Sequence, residues 1–113
     1  MRDADRIYRM LGLAARAGKT ADGGFSVERA VKTGKARLVI LAGDASPGTV
    51  KSFTDMCRYR HIPVVSFGEK EALGHALGKL ERSAAAVCED GMARAIETMI
   101  RQQMQTEAGT WQD

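Results

Sequence analysis

The chain has 113 residues, of which 44% are hydrophobic and 27% are charged, a size and balance typical of one soluble globular domain. No stretch approaches the ~20 consecutive apolar residues that a membrane helix needs. The N-terminal segment, residues 1–6, also lacks the apolar run of a secretory signal. Composition therefore predicts a cytoplasmic protein that neither crosses a membrane nor enters the secretory pathway.

The net charge of +3 is unevenly distributed along the chain. Residues 1–37 hold nine Lys and Arg against four Asp and Glu, whereas residues 38–113 hold eight against ten. A basic segment of this kind is typical of a surface that meets nucleic acid, although the same charges also suit a solvated face.

Helix and strand signals alternate along the whole chain, without an internal repeat or a low-complexity insert. In chain order they predict a helix over 3–16, a short strand over 19–22, a helix over 25–32, a strand over 37–42, a helix over 47–60, a strand over 63–67, a helix over 70–77, a strand over 84–88 and a final helix from Asp90. The apolar residues of 37–42 are continuous, which indicates a central strand covered on both faces.

The alternation of strands and helices favours an α/β domain with a mostly parallel sheet and helices on both faces. Residues 1–104 are expected to form one domain, and residues 105–113 a frayed tail. Binding sites in such folds gather in loops along the strand ends.

Two of these connecting segments have the chemistry of a binding site. In Gly23–Arg29, a Gly-Gly turn precedes a helix whose free N–H groups can meet RNA acceptors. In Gly78–Ser83, two cations surround a Leu between a helix and a strand, a mixture that suits a loop pressed against unstacked bases. Each segment also has a plainer interpretation as a connection with solvated charges.

Catalytic and metal-binding motifs are absent from the sequence. Gly18-Lys19-Thr20 lacks the earlier glycine of a phosphate-binding loop at the right spacing and follows a helix rather than a strand. His75 has no nucleophile or orienting acid at motif spacing, and Asp44 is better interpreted as a cap or turn residue. Cys57 and Cys88 are expected to be buried free thiols. We therefore predict no enzyme activity, no cofactor and no metal.

The chain resembles the kink-turn-binding ribosomal L7Ae/L30e superfamily, and especially its short bacterial branch, the YlxQ type. The similarity covers nearly the whole chain and is carried by Met10–Lys19, Gly34–Ser46, Phe53–Cys57, Ile62–Val64 and Leu73–Lys79. It implies a three-layer α/β/α sandwich around a mixed four-stranded sheet.

In that family, a Gly-x-Asn-Glu-x-x-Lys segment at the start of the second helix binds RNA together with an apolar loop before the last strand. Gly23 matches the Gly and Arg29 stands at the Lys, whereas Phe25 and Ser26 replace the Asn and Glu. Phe25 is expected either to stack on a base or to join the core, with the core favoured. Leu80, in the matching loop, is expected to be exposed. The predicted RNA-binding residues are Lys19, Gly23, Gly24, Phe25, Ser26, Arg29, Lys32, Lys35, Lys79, Leu80, Glu81 and Arg82.

Three functions are compatible with these observations. The first is a non-catalytic protein that binds structured, kink-turn-like RNA, with ribosomal RNA, the ribosome or other translation components as partners. The second is a protein-interaction module on the same fold that has lost specific RNA recognition, which the missing Asn and Glu favour. The third, a small enzyme, is disfavoured because no catalytic constellation is present.

Overall fold

The computed structural model describes residues 2–112 and the side chains of residues 2–104. Within this range the helices and strands are α1 (Asp3–Arg16), β1 (Thr20–Asp22), α2 (Gly24–Lys32), β2 (Leu38–Leu41), α3 (Pro47–Tyr59), β3 (Val64–Ser66), α4 (Lys70–Ala76), β4 (Ala84–Val87) and α5 (Asp90–Gln112). The predicted order is confirmed. The frayed tail predicted over 105–113 falls where no side chains are described, and it stays a prediction.

The four strands form one mixed sheet in the order β1-β4-β2-β3. Strands β2 and β3 are parallel, with Val39 opposite Val64, whereas β4 runs antiparallel to both β1 and β2. The mostly parallel sheet expected from the alternation of elements is therefore wrong. The mixed sheet implied by the family resemblance is confirmed.

The direction of β4 follows from the short connection through α4. This helix has only seven residues, and the loop after it returns to the helix start, where the N–H of Arg82 donates to the carbonyl of Lys70 at 3.0 Å. Because the connection leaves and returns at the same end of the sheet, β4 must run back against β2. A longer crossover helix, such as α3 between β2 and β3, instead carries the chain to the opposite end and gives a parallel pair.

Apolar side chains cover both faces of the sheet, which makes the molecule a three-layer sandwich. Helices α1, α4 and α5 pack on one face through residues that include Ile7, Leu11, Leu73, Ile96 and Ile100. Helices α2 and α3 pack on the other face through Val27, Val31, Phe53 and Cys57. All residues of β2 and β4 are buried, as the continuous apolar run predicts for central strands.

Two polar side chains fix the helices that follow β2 and β3. Ser46 accepts a hydrogen bond from the N–H of Thr49 and so caps α3, and Pro47 occupies its first turn. Asp44 accepts from the N–H of Lys70 at 2.8 Å, so its predicted capping role is confirmed, with α4 as the capped helix. Across residues 2–112, no helix combines the length and hydropathy required to span a bilayer.

Candidate nucleic-acid interface

The two segments singled out in the sequence meet at one end of the sheet and line a common cleft. The N–H of Gly23 donates to the carbonyl of Ala84 at 3.1 Å, and the N–H of Ala42 donates to Ser83 at 2.9 Å. The cleft has a volume of about 400 Å³ and is lined by Asp22, Gly23, Gly24, Thr49, Phe53, Glu81, Arg82, Ser83 and Ala84. The turn before α2 and the loop before β4 thus form opposite walls of one site.

The loop wall, residues 78–83, is held against α4 by backbone contacts. The N–H of Lys79 donates to the carbonyl of Gly74 at 2.8 Å, and a Cβ on Gly74 would lie 1.5 Å from the carbonyl oxygen of Leu80. No side chain fits into that gap, because real Cβ contacts lie beyond 3.0 Å. Glycine at position 74 is therefore a condition for the loop conformation.

The helix wall presents backbone donors. Gly23 has φ +84° and ψ 158°, a conformation restricted almost to glycine, and no side chain caps α2. The first N–H groups of a helix have no intrahelical partner and carry the positive end of its dipole. This end of α2 therefore offers hydrogen-bond donors to an anionic or carbonyl-rich ligand.

The preference for Phe25 in the core is wrong, because its side chain is 79% exposed. Val27, Ala30 and Val31 are the buried residues of α2 and define its inner face. At 3.6 residues per turn, Phe25 lies about 200° from Val27 and points away from the sheet. Ser26 and Arg29 are also exposed, and Arg29 lies one turn beyond Phe25 on the same outer side.

An ion pair connects the two walls at the base of the cleft. Arg82 Nε lies 2.7 Å from Asp22 Oδ1, and the two side chains are only 29% and 20% exposed. Arg82 Nη1 also donates to the carbonyl of Glu81 at 2.8 Å. The guanidinium is therefore fixed in place, and it contributes to the shape of the cleft as well as to its charge.

Leu80 projects from the outer side of the loop. Its side chain is 86% exposed, which confirms the expected exposure. It borders a second hollow of about 760 Å³ that is also lined by Glu71, His75, Lys79 and Glu81. Exposed His75 therefore shares this hollow with three of the predicted RNA-binding residues, Lys79, Leu80 and Glu81.

The remaining predicted cations lie away from the cleft. The carbonyl of Lys19 accepts from the N–H of Cys88, at the opposite end of β1 and β4. Lys32 ends α2 about 12 Å along the helix axis from Gly24, pairs with Glu28 at 3.5 Å, and is followed by Lys35. The basic segment of the sequence is therefore divided between the two ends of the sheet.

The described residues offer little for covalent or metal chemistry. Burial raises the pKa of both the Cys57 and Cys88 thiols, so both are protonated and weakly nucleophilic at neutral pH. Cys57 is fully buried, as predicted, whereas Cys88 is only partly buried. Among the residues that the structure describes, no cluster of three His, Cys, Asp or Glu side chains could hold a metal ion.

Four residues of the site were missed by the sequence analysis. Asp22 lies in β1, whereas Thr49 and Phe53 lie one turn apart in α3, and they line the cleft only because the fold brings these two elements together. Gly74 carried a usable signal, because an isolated glycine inside a helical pattern often marks a close backbone approach.

Comparison with known protein sequences shows which family and which relatives the chain is similar to. The sequence profile of the ribosomal protein L7Ae/L30e/S12e/Gadd45 family matches residues 5–97. The chain is 34% identical over 93 residues to the RNA-binding protein YlxQ of Bacillus subtilis (strain 168), an alignment that covers 82% of this chain and 93% of the relative.

Solved structures agree with this relationship. A Bacillus halodurans C protein of unknown function has a TM-score of 0.81 and 39% identity, over 84% of this chain and 96% of that chain. The Giardia lamblia 15.5kD RNA binding protein has a TM-score of 0.75, over 90% of this chain and 88% of that chain. At 24% sequence identity, this similarity concerns the fold alone.

Proposed function

The chain belongs to the ribosomal protein L7Ae/L30e/S12e/Gadd45 family, and from this premise we propose that it is a non-catalytic protein that binds structured, kink-turn-like RNA. Its RNA would be ribosomal RNA or another RNA of the translation machinery. The name of its Bacillus subtilis relative, an RNA-binding protein, supports the general activity. The proposal places the RNA in the cleft between α2 and the loop 78–83.

The observation that carries the proposal is that complementary groups meet at the cleft and at the second hollow, which shares Glu81 with it. The start of α2 supplies backbone N–H donors, and the loop supplies Leu80, an apolar side chain with almost no protein neighbours. Structured RNA offers matching partners, because bends and bulges expose both phosphates and unstacked bases. A duplex without a bend offers only the phosphates.

Base recognition at the α2 side differs from the family pattern. Phe25 and Ser26 cannot accept hydrogen bonds as an Asn-Glu pair does, since phenylalanine has no acceptor and a hydroxyl is a weaker one than a carboxylate. Glu81 also lines the cleft, and its carboxylate has no hydrogen bond or ion pair within the described part of the chain. We propose that Glu81, on the wall opposite α2, accepts hydrogen bonds from guanine N–H groups. The exposed Phe25 ring would stack on a base.

A protein-interaction module is the second candidate, and the outward position of Phe25 favours it. Phe25 and Leu80 both expose apolar surface near the cleft, and aromatic side chains are enriched at protein interfaces. Such a module would bind structured RNA no better than any other polyanion.

A titration with two RNAs tests the proposal. The protein is titrated at physiological salt with a kink-turn RNA and with an unbent duplex of equal length and similar composition. We expect clearly tighter binding of the kink-turn, because only the bent RNA can occupy the cleft while its stems contact the flanking cations. Equal affinities would remove the kink-turn assignment, and failure to bind either RNA would favour the protein-interaction module.

A further inference from the structure

Three large apolar or aromatic side chains are almost fully exposed, and only two of them belong to the proposed site. Phe25 and Leu80 are each next to a residue that lines the cleft, Gly24 and Glu81, whereas Tyr59, 81% exposed, ends α3. The next most exposed large hydrophobic side chain among the described residues, Met104, reaches only 51%. Exposure of this extent for a tyrosine calls for an explanation outside the core and outside the cleft.

Tyr59 is surrounded by basic residues in sequence and in space. It lies between Arg58 and Arg60, and all three are exposed, as is His61, which has a left-handed φ of 59°. The guanidinium carbon of Arg60 lies 5.9 Å from the centre of the Tyr59 ring, within the range of a cation–π contact. We call Arg58, Tyr59, Arg60 and His61 the Tyr59 surface.

The Arg60 side chain also contacts the end of α2. Its Nη1 atom lies 3.4 Å from the carbonyl oxygen of Lys32, the last residue of that helix. The guanidinium therefore occupies one face of the Tyr59 ring, and the high exposure of the ring leaves the other face to solvent. This is the arrangement in which an aromatic ring can stack on a base while a cation supports it from behind.

The Tyr59 surface lies at the opposite end of the sheet from the cleft. Thr49 lines the cleft near the start of α3, and ten residues of helix place Tyr59 about 15 Å farther along the axis. A ligand in the cleft therefore leaves this surface accessible, and one protein molecule can bind at both places.

Helix electrostatics explain only part of the arrangement. Basic residues at a helix C-terminus stabilise the negative end of the dipole, which accounts for Arg58 and Arg60. Acidic neighbours are also present, but Glu28 pairs with Lys32 and Asp55 pairs with Lys51. Neither the dipole nor these ion pairs gives a reason to expose an aromatic ring.

We propose that the Tyr59 surface is a second RNA-binding site, which takes a single-stranded segment by stacking one base on Tyr59 and pairing its phosphates with Arg58 and Arg60. Single strands suit this exposed surface because their bases are free to turn outward, and every base presents a stacking face. The site goes beyond the proposed function, since it does not need the cleft.

A two-RNA binding experiment tests this site on the full chain. The protein is mixed with an equimolar amount of kink-turn RNA, and a fluorescent oligouridylate of about twelve nucleotides is then titrated in. We expect the oligonucleotide to join the preformed complex. Tyr59→Ala should weaken this second binding about tenfold without changing the affinity for the kink-turn RNA, whereas Tyr59→Phe, which keeps the ring, should retain it.

Charge variants distinguish a specific binding site from general electrostatic attraction between the protein and the oligonucleotide. Arg58→Gln should flatten the dependence of log affinity on log salt by about 0.7 for the oligonucleotide. Arg9→Gln, which removes an exposed cation from α1 on the other face of the sheet, should leave it unchanged. An oligonucleotide that fails to join the complex, or that binds Tyr59→Ala equally well, would overturn the proposal.

The two proposals fail in different ways. If the kink-turn RNA does not bind, the proposed function fails, and the same oligonucleotide titration on the free protein still tests Tyr59. If Tyr59→Ala also weakens kink-turn binding, the two surfaces form one site, and an independent second site is excluded.

Discussion

The loop 78–83 and the first turn of α2 face each other across the cleft, but they are held in place by different means. The loop is packed backbone to backbone against α4, so closely that Gly74 admits no side chain. The turn before α2 combines the positive φ of Gly23 with a hydrogen bond from its N–H to the carbonyl of Ala84. A Cβ on Gly24 would meet no atom within 4 Å. The loop wall is therefore closely packed, whereas the helix wall has open space in front of it.

This difference separates two contributions to binding. A packed loop presents Leu80 in a fixed position and contributes shape, whereas an open helix start contributes N–H donors that a ligand can approach closely. Substitutions at the loop support should therefore disturb folding and binding together. Substitutions on the open surface should affect binding alone.

Gly74→Ala should have the largest effect. The new methyl group would overlap the Leu80 carbonyl, so the loop must move, at a cost of about 3 kcal/mol in the free energy of unfolding and with a severe loss of RNA affinity. Chemical denaturation and RNA titration measure the two effects. Gly48→Ala in α3 is the matched control, because a Cβ there meets open space and a helical Gly-to-Ala change is neutral or stabilises by up to ~1 kcal/mol. Equal stabilities for the two variants would contradict the packing argument.

The two glycines before α2 should respond in opposite ways. Gly23→Ala should cost about 1–3 kcal/mol of stability, since alanine does not favour its φ of +84°. Gly24→Ala should leave stability unchanged or slightly raised, yet weaken RNA binding, because the methyl group would stand between the helix N–H groups and the RNA. Thermal melts and titrations of both variants check this pair. A Gly24→Ala protein with full RNA affinity would show that RNA does not approach this turn.

Leu80→Ala should weaken RNA binding and leave the stability of the fold nearly unchanged. An exposed side chain contributes little to the free energy of unfolding, so stability should stay within about 0.5 kcal/mol of the parent. Loss of a leucine that becomes buried against RNA should weaken affinity about tenfold. Leu73→Ala, in the adjoining helix α4 and fully buried, should instead cost about 2–5 kcal/mol. A large fall in the melting temperature of Leu80→Ala would refute the exposed role.

Arg29→Ala should have the smallest effect, a change of salt dependence. If Arg29 neutralises one phosphate, its removal should flatten the slope of log affinity against log salt by about 0.9 on a duplex stem. Titrations at four or five salt concentrations measure the slope, and Arg9→Ala serves as the matched control. An unchanged slope for Arg29→Ala would place this side chain away from the RNA backbone.

The order of elements could be predicted from the sequence because local signals agree with the tertiary structure. The apolar run Leu38–Leu41 is buried throughout, and Ser46 and Pro47 mark the start of α3 as their types suggest. The direction of β4 could not be predicted from alternation alone. It follows from the short connection through α4, whose two ends meet in the hydrogen bond between Arg82 and Lys70, and no periodicity reveals that return.

Part of the candidate site could also be predicted from the sequence, where local signals agree with the tertiary structure. Gly23 and Leu80 were identified from local chemistry and family resemblance, and the exposure of Phe25 could have been deduced from its phase relative to Val27. The distance of Lys19 from the cleft could not, since it depends on the antiparallel pairing of β1 with β4. The charge distribution located a basic first third of the sequence, residues 1–37, but the fold divides its cations between the two ends of the sheet.

The measurement that tests the central claim most directly is backbone amide NMR of the ¹⁵N-labelled protein during titration with kink-turn RNA. The account predicts that the largest chemical-shift changes occur at the N–H groups of Gly24, Phe25 and Leu80, in the first turn of α2 and in the loop 78–83. Amides in the middle of α5, such as that of Ile96, should move little. A complex that forms while Gly24, Phe25 and Leu80 stay unperturbed would contradict the placement of RNA in the cleft.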